Sequence, residues 1–533
     1  MGEKRQDMEK IIIEVDGKKI EVEKGANLLD ILLKNHFSIP HLCYHPDFKP
    51  EESCRMCLVE VNGRIKTSCG VKVNKGLVIS TATDKIKRLR KTNALLIANS
   101  RSRRQVREGF NFEGIINYDM RKCIDCSNCI RACAFQGVSA VKMNKYGFNQ
   151  QVAKTENKCV YCGQCLTHCP TGTISTNENE YKRISKIMDD KNIIKIAQIA
   201  PSIRVAIGEE FGIAHGEVVT GKLVAALKKV GFDYVFDTSF GADMTTVEEA
   251  KELIYRLKNN KKLPMFSSCC PGWVRYVLVY YPEFESLLTT ALPPEIIMGN
   301  IIKHYFSKKI KVDIKKIQVI SIMPCTAKKW EVKRKEFMVD GYYPVDDTLT
   351  TSETARLIKE NNIDFKNLKG QSFDNPLGDA SGAGIIFGVT GGVMIAALRT
   401  AYNLLTSKNP ENLNFREEIT RLEGLKILNI ELPGKTLRIA VIDGLGNFKS
   451  IANRLQDFDY IEVMACPGGC IGGGGQPKPI DNKIRELREK GLLGIDQGLK
   501  IRLAHENPLV KKLYQEFLVD EATIKKYCHY HPR

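Results

Sequence analysis

The chain has 533 residues, of which 43% are hydrophobic and 27% charged, and these values exclude wholesale disorder and collagen-like or low-complexity structure. It contains no run of 18 uncharged apolar residues, and its N-terminal segment MGEKRQDMEK has no apolar signal core, so the sequence predicts a cytoplasmic chain without a membrane span. The net charge of +18 and the 18 cysteines are unusual, and in a reducing compartment such cysteines indicate metal sites rather than disulfides.

The N-terminal domain, predicted over residues 1–80, opens with two short strands that meet at Asp16-Gly17 and continue into a helix. Four thiolates that include one Cys-x2-Cys pair suit a [2Fe–2S] cluster, although four cysteines also suit zinc. These candidate ligands are Cys43, Cys54, Cys57 and Cys69. The opening resembles the ferredoxin-like domain of the iron–sulfur subunit of respiratory complex I, which implies a β-grasp fold.

A basic helical connector is predicted over residues 81–117, followed by a domain at 118–185 that carries one cysteine run twice. Each run reads Cys-x2-Cys-x2-Cys-x3-Cys, the pattern of bacterial two-cluster ferredoxins, in which the fourth cysteine binds the other cluster. Two crossed [4Fe–4S] ligand sets are therefore predicted in an α+β domain. The first set is Cys123, Cys126, Cys129 and Cys169, and the second is Cys159, Cys162, Cys165 and Cys133. Zinc is a poor alternative because a zinc site does not need this repeated run.

The remaining domain, residues 190–533, alternates strand-like and helical runs, which indicates α/β sheets covered by helices. The strand-like runs are KIAQIA, YVFDTS, LPMFSS, IQVISIMPC, LRIAVIDG and YIEVMAC. Several precede cysteines, which places candidate ligands at the carboxyl ends of strands. The fold must gather these distant cysteines, and four thiolates suit a cubane. The glycines after Cys470 allow the backbone to approach a bulky inorganic ligand closely.

Three segments of this domain resemble the signature motifs of the [FeFe]-hydrogenases: FSSCCPGW at 266–273, MPCTAKKWE at 323–331 and EVMACPGGCIGGGGQP at 462–477. The resemblance implies an α/β domain built around an H-cluster, which is a [4Fe–4S] cubane joined to a two-iron subcluster with CO, cyanide and a dithiolate. It implies the reversible reaction of protons and electrons to H2. By motif position the cubane ligands are Cys270, Cys325, Cys466 and Cys470, with Cys470 as the bridge to the two-iron unit.

The same resemblance assigns the residues around the two-iron unit. Cys269 is expected to exchange a proton beside the dithiolate amine, and Lys328 and Ser202 to contact cyanide ligands. The pocket is expected to be packed by Pro201, Met323, Phe387 and Met464. A dry and mostly apolar pocket suits this chemistry because it tunes the potential and excludes side reactions.

A proton route is also implied, through two carboxylates and one hydroxyl. Glu249 and Glu252 are three residues apart in a predicted helix and so share one face. They match the family's two glutamates, and Thr289 matches the hydroxyl position between them. Arg256 follows Glu252 by one turn and is expected to pair with it or gate it. Without the resemblance, such a glutamate pair is usually a solvated helix face.

The chain departs from the family's pattern at three places. Residues 70–122 contain no cysteine or histidine, so the additional His/Cys cluster of many modular hydrogenases is absent. Whether the [2Fe–2S] centre lies within electron-transfer range of the ferredoxin clusters is then an open question. Pro293 and Glu295 stand where many relatives have serine and glutamine, and Ile395 replaces a frequent glutamate. Glu295 is expected to alter the tuning of the cluster.

The expected partners are ferredoxin or flavin-bearing subunits that use NAD(H), together with maturation proteins, and acidic partners suit the positive charge. No nucleic-acid motif is present. A hydrogen sensor, an iron–sulfur assembly protein and a complex I-like electron-transfer subunit are the alternatives. Cys269 argues against the sensor, Met323 and Lys328 against the assembly protein, and the three motifs against the electron-transfer subunit. The spare Cys528 is predicted to be a surface thiol.

Overall fold

The computed structural model describes residues 9–102, 109–146, 149–413, 420–422, 424–432 and 435–530. Within these ranges, no helix is both long and apolar enough to cross a membrane. Within the described ranges, each sheet is formed by strands from one region of the chain.

The N-terminal sheet is built from β1 (Lys10–Val15), β2 (Lys18–Glu23), β3 (Leu58–Val61), β4 (Arg64–Thr67) and β5 (Val78–Ser80), with helix α1 (Leu28–Lys34) after the second strand. The strand order is β2-β1-β5-β3-β4, and β1 and β5 are parallel. Asp16 and Gly17 have φ values of 49° and 79°, as a two-residue type I′ hairpin turn requires, so the predicted hairpin is confirmed. The sheet and α1 enclose a core of their own.

The next region contains α2 (Asp84–Ser102), β6 (Phe110–Phe112), β7 (Ile116–Tyr118), α3 (Asn128–Phe135), β8 (Val141–Tyr146), β9 (Asn149–Lys154), α4 (Gln164–Thr167), β10 (Ile174–Thr176) and α5 (Glu178–Ile187). The helix α2 is shorter than the predicted connector at 81–117, because β6 and the first residues of β7 fall inside that range. These strands pair in the order β10-β7-β6, so hydrogen bonds attach the end of the predicted connector to the cysteine-rich region.

The catalytic region holds two sheets. Its strands are β11 (Ile194–Ile199), β12 (Tyr234–Asp237), β13 (Met265–Phe266), β14 (Ile317–Met323), β15 (Asp347–Thr350), β16 (Thr420–Leu422), β17 (Leu425–Leu432), β18 (Lys435–Asp443) and β19 (Tyr460–Met464). One sheet has the order β12-β11-β14-β15 and is parallel throughout. The other has the order β13-β19-β18-β17-β16, with β13, β19 and β18 parallel. All six predicted strand runs are confirmed.

The helices of this region cover the two sheets. They are α6 (Thr220–Val230), α7 (Thr238–Asn259), α8 (Pro271–Tyr280), α9 (Pro294–Ile301), α10 (Ser307–Lys309), α11 (Lys328–Glu331), α12 (Thr351–Glu360), α13 (Gly382–Ile385), α14 (Gly392–Thr406), α15 (Asn482–Gly498), α16 (Pro508–Glu516) and α17 (Glu521–Cys528). A π-helical stretch, Ile302–Phe306, joins α9 to α10. Helix α7 is buried along most of its length and packs against α9, α13 and α14.

The helix predicted to carry Glu249 and Glu252 is α7, which begins at Thr238, where the Asp237 side chain caps it by accepting the Ser239 N–H. The glutamates therefore lie in the middle of a buried helix. The prediction that Cys528 is a surface thiol is wrong, because the last turn of α17 buries it completely in the same core as α9.

Candidate functional site

A cavity of about 70 Å³ lies where the carboxyl ends of β13, β14 and β19 meet. Parallel strands bring their carboxyl ends to one edge of a sheet, so the cysteines that follow these strands converge. Every residue predicted from the motifs to hold or pack the H-cluster lines this cavity: Cys269, Cys270, Cys325, Cys466, Cys470, Lys328, Ser202, Pro201, Met323, Phe387 and Met464. Pro294 and Glu295 line it as well.

The backbone around the cavity requires glycine. A Cβ atom on Gly473 would lie 2.3 Å from the Pro324 carbonyl oxygen, and one on Gly475 would lie 2.6 Å from Thr350 Cβ. Gly469 has a φ of +86°, and a Cβ there would approach the Thr390 nitrogen to 2.7 Å. The close packing holds the Cys470 loop against the Cys325 loop. Four thiols on a fixed backbone are the donor set of a [4Fe–4S] cubane, so the residues fit that group.

Lys328 lies between two buried carboxyl groups. Its Nζ is 2.5 Å from Glu331 Oε2 and 3.5 Å from Glu295 Oε1. Burial disfavours the ammonium, but Glu295 and Glu331 outweigh this effect and raise the pKa of Lys328. Burial also raises the pKa of Glu295 well above its ordinary value, and neither carboxyl oxygen of Glu295 has a hydrogen-bond partner among the described residues. The Lys328 ammonium therefore lies between two buried carboxyl groups, and burial opposes the ionisation of Glu295 beside it.

The Ser202 side chain is fully buried at the opposite wall of the cavity. Its Oγ lies 3.4 Å from Gln476 Nε2, and the same amide nitrogen donates to the Cys470 carbonyl at 3.1 Å. Gln476 therefore connects the Ser202 side chain to the loop that carries Cys470.

Glu249 is a buried acid next to Cys269. Burial raises the pKa of Glu249 to about 8, and the charges of Glu252 and Glu462 add to this shift. The Tyr460 hydroxyl opposes it by donating to Glu249 Oε1 at 2.8 Å. The other oxygen, Oε2, has no partner among the described residues. Burial also raises the pKa of Cys269, and ionisation of Glu249 would raise it further, so burial favours the protonated form of both groups.

Glu252 has the opposite character. Burial disfavours its charge, but Arg256, Thr289 and Thr290 outweigh burial and lower the pKa of Glu252. Arg256 Nη2 lies 2.5 Å from Oε1, while the Thr289 hydroxyl donates to Oε2 at 2.7 Å. The predicted hydroxyl, carboxylate and arginine are thus brought together. The expectation that Arg256 pairs with Glu252 is met.

The cysteines of the ferredoxin-like region separate into two groups. Cys123, Cys126, Cys129 and Cys169 surround one small cavity of about 20 Å³. Cys133 lies close enough to Cys159, Cys162 and Cys165 that its charge raises the pKa of each thiol, after the larger effect of burial. The grouping matches the predicted crossed sets.

The four N-terminal cysteines form side-chain contacts in two pairs, Cys43 with Cys54 and Cys57 with Cys69. This site lies against the ferredoxin-like region. Arg131 of α3 donates to the Cys43 carbonyl at 2.9 Å and to the Lys49 carbonyl at 2.7 Å. Burial raises the pKa of Cys126 to about 11, and the charges of Cys169, Cys123 and Cys43 contribute to the rise.

Four functional neighbours were missed by the sequence reasoning: Tyr460, Glu331, Thr290 and His529. Glu331 stands three residues after Lys328 in the second motif, and this helical spacing was a usable signal. The other three reach α7 from distant segments, so the sequence contains no spacing that indicates them.

Comparisons with known proteins agree with this geometry. Residues 193–474 match the family described as iron only hydrogenase large subunit, C-terminal domain, and 482–531 match iron hydrogenase small subunit. Residues 8–84 match a 2Fe-2S iron-sulfur cluster binding domain, and 122–173 match a 4Fe-4S dicluster domain.

The similar proteins extend over nearly the whole chain. NADP-reducing hydrogenase subunit HndD of Solidesulfovibrio fructosivorans is 37% identical over 96% of this chain and 96% of its own length. Iron hydrogenase 1 of Clostridium pasteurianum is 34% identical over 94% of this chain and 96% of its own length. A variant of apo [FeFe]-hydrogenase HydA1 from Chlamydomonas reinhardtii superposes with a TM-score of 0.59 at 35% identity, covering 66% of this chain and 98% of that one.

Proposed function

The chain belongs to the iron-only, or [FeFe], hydrogenases, and we propose that it interconverts H2 with protons and electrons at the cavity beside Cys269. One observation carries the proposal. Three distant segments bring five cysteines, Lys328 and a packed apolar wall to a single buried cavity. The family membership establishes the hydrogenase activity, and the roles of individual residues are what we propose.

In this proposal Cys270, Cys325, Cys466 and Cys470 would hold the cubane, and Cys470 would also link it to the two-iron subcluster. When bound, the H-cluster supplies the metal centre at which hydrogen is formed or cleaved. The positively charged ammonium of Lys328 would lie against the anionic cyanide ligands. Glu295 and Glu331 favour its charged form. Met323, Phe387 and Met464 keep water away from the cavity.

Cys269 gives and takes the proton at the cavity, with Glu249 as its partner in the next step. A carboxyl group whose pKa is about 8 exchanges protons in both directions near neutral pH. Thr289 then connects the route to Glu252, whose carboxylate accepts its hydroxyl at 2.7 Å. The route therefore passes from a protonated acid near the cavity to an ionised acid farther out.

Electrons enter through the accessory clusters, for which we propose one [2Fe–2S] and two [4Fe–4S] groups. The contacts of Arg131 with Cys43 support a direct step from the [2Fe–2S] site to the cluster of Cys126. A second contact strengthens this docking, since Arg485 Nη2 lies 3.0 Å from Asp47 Oδ1 across the domain boundary. The missing His/Cys cluster is then unnecessary for electron entry.

The partner is proposed to be a flavin-bearing subunit that uses NAD(P)(H), with ferredoxin as a second donor. The full-length similarity to a protein named as a subunit of an NADP-reducing hydrogenase supports a multi-subunit assembly. The net charge of +18 suits an acidic partner. We propose a cytoplasmic location, where maturation proteins and reduced nucleotides are available.

The decisive experiment is anaerobic H2 evolution from reduced viologen after loading the protein with a diiron precursor. Infrared bands of CO and cyanide report loading independently of turnover. We expect turnover in the wild type and its collapse in Cys269→Ala with the bands retained. Cys528→Ala is the control, because Cys528 is a buried cysteine that does not line the cavity. Loading without turnover in the wild type would favour a sensor, and failure to load would favour an assembly or electron-transfer role.

A further inference from the structure

The hydrogen-bond network continues beyond Glu252 toward the C-terminal segment. The Thr290 hydroxyl lies 2.9 Å from Glu252 Oε2 and also 2.9 Å from His529 Nδ1. The other ring nitrogen of His529, Nε2, lies 2.9 Å from Glu248 Oε2. A backbone bridge between Ala291 and His529 fixes the two segments against each other. An unbroken row of polar atoms thus joins Glu252 to the histidine.

Counting protons along this row gives two consistent arrangements. The Thr290 hydroxyl carries one proton. If it donates to the Glu252 carboxylate, His529 Nδ1 must donate to Thr290, while Nε2 donates to Glu248, so the ring is an imidazolium. If Glu252 is protonated and donates to Thr290, the hydroxyl donates to Nδ1, and the ring is neutral. The same heavy atoms serve both arrangements.

We propose that His529 exchanges protons with Glu252 through the Thr290 hydroxyl and so connects the proton route to solvent. In the step, the Nδ1 proton passes to Thr290 Oγ1 while the hydroxyl proton passes to Glu252 Oε2. The imidazolium becomes neutral, the carboxylate becomes a carboxylic acid, the hydroxyl keeps one proton, and no electron moves. His529 acts through Thr290 and Glu252 and does not touch the reacting atoms.

The other neighbours of Glu252 offer few alternative routes by which its proton could reach solvent. Arg256 binds the Oε1 side, but a guanidinium does not release its proton in proteins. Thr289 donates to Glu252 on the inward side of the proposed route and accepts the Ala291 N–H. Both threonines also line an open cavity that contains Glu283, Glu285 and Glu336, so water in this cavity is the competing exit.

The surroundings of His529 suit a proton-exchange group. Its side chain is 16% exposed, so it reaches water directly. Glu248 of α7 faces its outer nitrogen, and Lys251 and Tyr514 in turn bind Glu248. Burial opposes the charge of Glu248, but His529 and Lys251 outweigh it and lower the pKa of Glu248 to about 2. Glu248 therefore stays ionised and orients the ring without competing for the proton.

This inference rests on the proposed function for its kinetic test, but its first test does not need turnover. The protonation of His529 is followed by nitrogen-15 NMR of the histidine rings as a function of pH, in protein without the two-iron unit. Glu252→Gln removes the carboxylate that faces Thr290, so we expect fewer His529 rings to carry protons on both nitrogens at a fixed pH. His505, which bonds Thr400 and Asn409, serves as an internal reference. An unchanged His529 ring spectrum in Glu252→Gln would overturn the coupling.

The kinetic test uses loaded enzyme and the infrared bands as a check of an intact cluster. His529→Gln and Thr290→Val are each expected to slow H2 oxidation at least tenfold with the bands unshifted, and Thr290→Ser to restore most of the rate lost in Thr290→Val. His505→Gln is the control with wild-type turnover. Wild-type rates in both His529→Gln and Thr290→Val would assign the exit to the water-accessible cavity and overturn the proposal. A loaded wild type without turnover would instead contradict the proposed function, while the NMR result would still decide the His529 coupling.

Discussion

Replacing Tyr460 with phenylalanine tests whether Glu249 sets the pH dependence of proton transfer. The Tyr460 hydroxyl donates to Glu249 Oε1 at 2.8 Å and stabilises the ionised form of a fully buried acid. Phenylalanine keeps the ring that packs in the core and removes only this donor. The remaining oxygen of Glu249 already lacks a partner among the described residues, so no other side chain there replaces the lost hydrogen bond.

The size of the effect follows from the charge on the acceptor. A hydrogen bond to a charged group contributes about 1.5–3 kcal/mol, which corresponds to about one to two pKa units. The pKa of Glu249, about 8 in the wild type, is therefore expected to rise to about 9–10 in Tyr460→Phe. The sign is fixed because the lost donor favoured only the ionised carboxylate.

The assay is turnover of loaded enzyme in both directions between about pH 6 and pH 10. H2 evolution needs protonated Glu249, so its alkaline limit is expected to move upward by one to two units. H2 oxidation needs the ionised form, so its onset is expected to move upward by the same amount. Tyr305→Phe, which removes a 2.6 Å hydrogen bond to Glu516 at the surface, is the control. Unmoved limits, or shifts of opposite sign in the two directions, would falsify the assignment of Glu249.

Four further predictions follow from other contacts. Glu295→Gln removes the proton-carrying acid 3.5 Å from Lys328, so the cyanide infrared bands are expected to shift while loading persists. Arg131→Ala should slow reduction of the catalytic site by a protein donor but not by viologen, in stopped-flow measurements. Trp273→Ala opens a cavity in the core and is expected to cost about 3–5 kcal/mol in chemical denaturation. Because the folded pKa of Glu248 is depressed to about 2, its contribution of about 3 kcal/mol should be full above pH 5 and lost as the pH falls toward 2.

The sequence predicted which cysteines of the ferredoxin-like region come together because these cysteines carry a regular spacing, while their roles as cluster ligands stay a prediction. A Cys-x2-Cys-x2-Cys-x3-Cys run binds one cluster with three neighbouring thiols, so local pattern and site coincide. The strands before Cys269, Cys325 and Cys466 were also predictable, since short apolar runs bounded by turn residues indicate buried parallel strands. Because each of these cysteines closely follows its strand, predicting the strand also predicts where the cysteine lies in the fold.

The proton route could be predicted only in part. Glu249 and Glu252 were found from helical spacing and resemblance, but the groups that set their different pKa values come from elsewhere. In the sequence, Tyr460 lies 211 residues from Glu249, and His529 lies 281 residues from Glu248. No periodicity links such positions, because tertiary packing alone brings them together. The burial of Cys528 was missed for the same reason, since the docking of α17 on α9 and α7 covers it.

Helix α7 shows how one element separates proton carriers from structural charges. It carries three buried acids and the partly buried Glu252, and each has a different set of partners. Asp243 is bound by Ser381 and Asn507, Glu248 by His529 and Lys251, and Glu252 by Arg256 and two threonines. Glu249 has a single hydroxyl donor, and the charge of Arg256 lowers its pKa less than burial raises it, so the pKa of Glu249 rises to about 8. Glu249, the acid beside Cys269, is thus less stabilised as an anion than Glu252. This difference places a protonated acid near the cavity and an ionised acid farther along the proposed proton route.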